Sequence, residues 1–109
     1  MSLIYQYSDG ANNSFHIWPN RIVYHPMKPQ FSSSGMYDGG EPADKALTEE
    51  QFVEIKMLVD AAIACTDEHL EERPKGSGLL KTEDGTMFVL VMNGAAKNRL
   101  EAFLRSLIL

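Results

Sequence analysis

Cysteine is nearly missing from this chain. Cys65 is the only one in 109 residues, so no internal disulfide can form. Such usage suits a reducing compartment. Long hydrophobic runs are missing as well. None approaches the ~18 residues that a membrane-spanning helix needs, and the first residues lack the basic-then-apolar layout of a secretory leader. These absences set the expectation of a soluble, cytoplasmic protein without a membrane partner. Positive charge is also scarce, with 10 Lys and Arg against 15 Asp and Glu and a formal net charge of −5. The cations are scattered from Arg21 to Arg105, with no cluster stronger than Arg73 and Lys75. A nucleic-acid surface needs a basic stripe that displaces counterions from phosphates, and none is present. Asn12-Asn13-Ser14 spells a glycosylation triplet that is meaningless in the cytosol.

What is present is ordinary globular composition, 44% hydrophobic and 23% charged. A chain of this length makes one domain, residues 1–109, that buries roughly 60–70% of its unfolded surface and folds without staples. No internal repeat divides it.

Leu3-Ile4-Tyr5-Gln6-Tyr7 reads as a strand, followed by the turn cluster Asp9-Gly10-Ala11-Asn12-Asn13. Ser14–Trp18 and Arg21–His25 flank Pro19-Asn20 as a hairpin. Proline cannot take the positive φ of a type I′ turn, so a type I turn with a bulge near Arg21 is expected. Thr48 with Gln51 forms a capping box, Leu47 with Phe52 a hydrophobic staple, and Glu49 and Glu50 suit the positive end of the helix dipole. Phe52, Ile55, Val59, Ala62 and Ile63 then keep the 3.6-residue period. The end of this helix has two readings. It stops near Cys65 with a second short turn at Thr66 or Asp67, or it continues with Arg73 and Lys75 offsetting the acids before Pro74.

Leu79–Glu83 and Thr86–Val91 flank Asp84-Gly85, a dipeptide suited to a type I′ hairpin turn. Asn93-Gly94 turns into a last helix over 95–107, with Asn93 as its cap and Leu100, Phe103, Leu104 and Leu107 on one face. The order β-β-β-α-β-β-α makes an α+β fold. A mostly antiparallel sheet of about five strands carries two helices on one face.

Two stretches are in excess of that plan. Met87–Met92 is apolar at every position, where a strand with one wet face alternates. Val53, Met57, Ala61 and Ala64 lie off the buried stripe of the first helix. A second subunit covering such surfaces predicts a homodimer.

The long connector between His25 and Leu47 is the first candidate site. Ser32, Ser33, Ser34, Gly35, Tyr37 and Asp38 combine hydroxyls, bare backbone and one acid, the parts of a cradle for a small polar ligand. The alternative is a packed loop with Phe31, Met36 and Tyr37 as its small core. Arg73, Lys75 and Ser77, beside flexible glycines, form the second candidate. They lie between a helix and a strand, the wrong order for a nucleotide loop.

A serine-dependent hydrolase would need one of Ser32–Ser34 with His16 or His25 and Asp38. None of these residues sits in a nucleophile motif, and the two histidines lie near the strands' ends, with opposite faces expected. Cys65 and His69, at i and i+4, are two metal ligands at most. The acids from Asp67 to Glu72 would suit a basic partner. No motif asks for a cofactor. The reading is therefore a binding or regulatory module using the Ser/Gly loop. The alternatives are an acidic inhibitor or immunity-type domain and a small serine hydrolase.

Overall fold

The computed structural model describes residues 2–27, 40–73 and 76–108. The strands are β1 (Tyr5–Ser8), β2 (Ser14–Trp18), β3 (Arg21–His25), β4 (Ala43–Ala46), β5 (His69–Leu70), β6 (Gly78–Lys81) and β7 (Met87–Leu90). The helices are α1 (Glu49–Ala64) and α2 (Ala95–Ile108), with a 3-10 turn over Thr66–Glu68. The strands form one antiparallel sheet in the order β4-β3-β2-β1-β6-β7-β5. The class is α+β, as expected. The strand number is seven rather than five.

Both extra strands lie at the edges and carry little apolar signal. Ala43-Asp44-Lys45-Ala46 closes the connector that reads as one loop. It is held by backbone pairing to β3 and by Arg21, whose guanidinium donates two hydrogen bonds to Asp44, at 2.8 and 2.5 Å. His69-Leu70 is caught by the far side of β7. Strands that bury no side chain leave no alternation in a sequence.

The inner face of the sheet is built on a strict period of two. Tyr5 and Tyr7 stand beside Ile17 and Phe15, which stand beside Ile22 and Tyr24. These residues join Leu80 and Leu90 in one core with Ile55, Val59 and Ala62 of α1 and Ala96, Leu100 and Leu104 of α2. Both helices therefore pack on one face. The capping box at Thr48 and Gln51 forms with both hydrogen bonds, at 3.1 and 2.9 Å. Leu47 is buried, and Phe52 packs against the same core.

Helix α1 ends at Cys65, the shorter of the two readings. The last turn of α1 has no basic residue of its own. The His69 ring supplies the donor instead, at 2.8 Å from the Ala62 carbonyl. Cys65 and His69 thus do not share a helix face.

Three turns differ from expectation. The β2–β3 ladder runs without a shift to Trp18 opposite Arg21, so there is no bulge there. Neither Pro19 nor Asn20 has positive φ, as a type I turn requires. Asn93 is not the cap of α2. It takes φ 70° in the preceding turn, and Gly94 holds the cap position, its carbonyl accepting from the Asn98 N–H at 2.9 Å.

The β6–β7 turn is one residue longer than a type I′ hairpin. Gly85 N–H donates to the Thr82 carbonyl at 3.0 Å, Thr82 N–H to the Thr86 carbonyl at 3.0 Å, and only Gly85 has positive φ. This is a type I turn closed by a left-handed glycine. The extra residue sets Leu80 opposite Phe88 rather than Val89. A slip of one would exchange the two faces. Phe88 and Leu90 therefore point to the helices, while Met87 is 61% exposed on the other side.

Candidate functional site

The sites expected from the sequence divide in two. Ser32, Ser33, Ser34, Gly35, Tyr37, Asp38 and Lys75 lie outside the described residues, so the Ser/Gly cradle and the serine–histidine pairing fall there as well. Arg73 is exposed, and its guanidinium donates to the Asp9 carbonyl at 3.3 Å. Ser77 is 1% exposed, an interior residue. The two are close in sequence and differ in access.

Histidines 16 and 25 share the helix-free face of the sheet. His16 stands opposite Val23 and His25 opposite Ser14, a diagonal pair with ring centroids 4.7 Å apart. His16 also has Gln6 Nε2 at 3.4 Å from its Nε2. Burial, and then the charge of His25, lower the His16 pKa. Two rings are too few for a metal. Among the described residues no group of three His, Cys, Asp or Glu could hold one.

Beside the buried face runs a polar network that the apolar periodicity does not announce. Tyr7 is 1% exposed, and its hydroxyl donates to Glu101 Oε2 at 2.5 Å. The same oxygen takes the Lys97 ammonium at 2.9 Å, with the lysine side chain only 7% exposed. Burial and the Glu101 hydrogen bond raise the Tyr7 pKa far beyond the usual phenol, so the hydroxyl stays a donor. Gly78 leaves room for this contact, because a Cβ there would overlap the Tyr7 hydroxyl. Next to it Asp9, 3% exposed, accepts from Ala11 N–H, Asn13 N–H, Asn13 Nδ2 and Arg105. The signal was present at Lys97 and Glu101, an i, i+4 ion pair bordering the Leu100–Leu104 stripe. These groups satisfy one another, and Tyr7, Asp9 and Lys97 are nearly closed to solvent while Arg105 is 47% exposed, so the network first of all organises the fold.

An open cleft of about 670 Å³ lies elsewhere, between α1, the start of β1 and the β6–β7 turn. That volume falls in the range of small-ligand sites, roughly 300–1,000 Å³. Its apolar lining is Ile4, Tyr5, Ile63 and Phe88, and its carboxylates are Asp60, Glu83 and Asp84. Each of these comes from a local rule. Asp60 and Ile63 are i and i+3 on α1 and so flank the same edge. The longer turn projects Glu83 and Asp84 past the sheet.

The three acids differ in their engagement. Asp84 Oδ1 accepts from the Thr82 hydroxyl and from Thr86 N–H at 3.1 Å, which holds its pKa below the usual carboxylate range. Its charge is fixed and largely committed to the turn. Asp60 and Glu83 have no ion-pair or hydrogen-bond partner among the described residues. Tyr5 lines the cleft with them. It is 8% exposed, its ring stacks on Phe52 at 6.3 Å, and its hydroxyl has no hydrogen-bond partner among the described residues. Burial first, then the charges of Asp60 and Glu83, raise its pKa. None of these residues carries a site signal in the sequence. They come from four separate segments and share no motif.

No protein-family model matches the chain, and neither a curated protein nor a solved structure matches it.

Proposed function

We propose that this protein is a non-catalytic binding module whose working surface is the cleft between α1 and the β6–β7 turn. One observation carries the reading. A phenol whose ring is buried presents its hydroxyl beside two carboxylates, none of the three with a hydrogen-bond or ion-pair partner among the described residues, over an apolar floor. The ring of Tyr5 is buried while its oxygen reaches the open cleft beside the carboxylates, where an outside ligand can meet all three groups. The acidic balance of the chain, −5, favours basic partners and supports the inhibitor-type variant of the same reading. The single cysteine supports a cytoplasmic setting. No helix among the described residues is long and apolar enough to cross a membrane.

A screen of fragments of mixed charge, read by amide chemical shifts on the whole chain, tests the proposal. Ligands should shift Asp60, Ile63 and Thr82–Thr86 together. Shifts confined to Arg73 and Ser77, or none anywhere, would sink it.

The homodimer belongs to the same proposal, with α1 as its face. Val53 is 52% and Met57 61% exposed, and Ala61 and Ala64 extend the stripe. The β4 edge is a poorer route. Residues paired across a twofold axis must share a sheet face, which sets Asp44 or Lys45 against its own counterpart. Sedimentation should show a dimer that Met57→Glu converts to monomer. A monomeric parent chain at high micromolar concentration would rule this out.

A further inference from the structure

We infer that the α1/β6–β7 cleft takes the guanidinium of an arginine presented on a protein partner. This inference deepens the binding reading above and rests on it.

Asp60 and Glu83 supply negative charge without a resident cation among the described residues. The Tyr5 hydroxyl adds an uncharged oxygen close to both, at the open end of a residue that is otherwise buried. Tyr5 and Phe88 add aromatic rings to the lining. A planar cation with several N–H donors uses all three features. It can meet carboxylates in a forked geometry, donate to a phenol oxygen and lie against a ring. An ammonium is a compact, strongly hydrated point charge and uses fewer of them. Ile4 and Ile63 offer the stem of an arginine an apolar bed.

The source of the guanidinium follows from exposure. Asp60 and Glu83 are both exposed, and exposed ion pairs are individually weak. A free guanidine in an open cleft gains little beyond them. An arginine carried on a folded or extended partner brings neighbouring residues to fill the rest of the 670 Å³, and the −5 charge of the chain draws a basic partner toward it.

The test uses the full chain and four probes: acetyl-Leu-Arg-Leu-amide, its lysine and citrulline counterparts, and agmatine. Saturable shifts at Ile63 and Thr82–Thr86 are expected with the arginine peptide. Its Kd should be at least tenfold lower than that of the citrulline peptide, and several-fold lower than those of the lysine peptide and agmatine. Asp60→Asn with Glu83→Gln should raise the arginine Kd at least tenfold, and Tyr5→Phe about threefold, with spectra otherwise unchanged. Both acids are exposed, so the paired variant should fold.

Equal binding of arginine and citrulline peptides overturns the inference, as does arginine binding that the variants leave intact. Agmatine binding as tightly as the peptide overturns the protein source. If neutral or anionic fragments shift the cleft while the arginine peptide does not, the binding module stands and this inference alone falls.

Discussion

Replacing Glu101 with leucine should be among the most damaging single changes on α2. The carboxylate is 18% exposed and accepts from both Tyr7 and Lys97. Its loss leaves a lysine that is 7% exposed without a counter-charge. Breaking one partner of a buried ion pair costs about 3–5 kcal/mol, because the surviving charge stays desolvated. The unfolding entropy for 109 residues is about 0.23 kcal/mol per degree. The melting temperature should therefore fall by roughly 13–22 °C.

Tyr7→Phe removes one hydrogen bond to a charged group and leaves the ion pair in place. It should cost less, about 1.5–3 kcal/mol, or roughly 7–13 °C. Lys97→Met combined with Glu101→Leu removes both charges and substitutes apolar volume. The pair should recover most of the loss, since buried ion pairs exchange for packed hydrophobes at little cost. Urea and thermal unfolding of the parent chain and these three variants give the differences. A double variant no more stable than Glu101→Leu alone would refute the argument. A Tyr7→Phe loss equal to that of Glu101→Leu would do the same.

Two further outcomes follow from local geometry. A Cβ on Gly10 would meet the Gly76 carbonyl oxygen at 2.5 Å and two more Gly76 backbone atoms at 2.8 Å, none of them on a side chain that can swing away. Gly10→Ala should cost about 1–3 kcal/mol, a drop of roughly 4–13 °C in melting temperature, and a neutral result would mean that these two turns are not pressed together. The lowered His16 pKa means that the folded chain takes up this proton less readily than the unfolded chain. Stability should be full above the ordinary histidine value of about 6.5 and decline as pH falls from there through the lower folded value. Denaturant titrations between pH 8 and pH 5 should show His16→Gln with a shallower slope. Indistinguishable slopes would count against the burial argument.

Elements that bury a face were legible from residue order. The capped first helix, the Ser14–His25 hairpin and the amphipathic last helix each carry a period that only one structure satisfies. Elements that bury nothing were not. Strand β4 and the two-residue β5 exist because a neighbouring strand offers unpaired backbone, and backbone carries no sequence signature. The candidate site was hidden for a related reason. Asp60 and Glu83 read as ordinary surface acids, and Tyr5 as one more aromatic in a strand. Their meeting depends on which way the β6–β7 turn throws its tip.

Taken by itself, the sequence determined the α+β class, the two helices and their buried faces, and an acidic chain without disulfides, because periodicity, capping and composition act over a few residues. Tertiary structure decided the register of the last hairpin, and with it whether Phe88 or Val89 faces the helices. It also paired His16 with His25, closed the Tyr7–Lys97–Glu101 network and opened the acidic cleft. These depend on contacts between segments far apart in the chain, and their energies are settled only when the sheet and helices pack. Cys65, the single cysteine, is half-buried at the cap of α1 and packs against the core as a small apolar side chain.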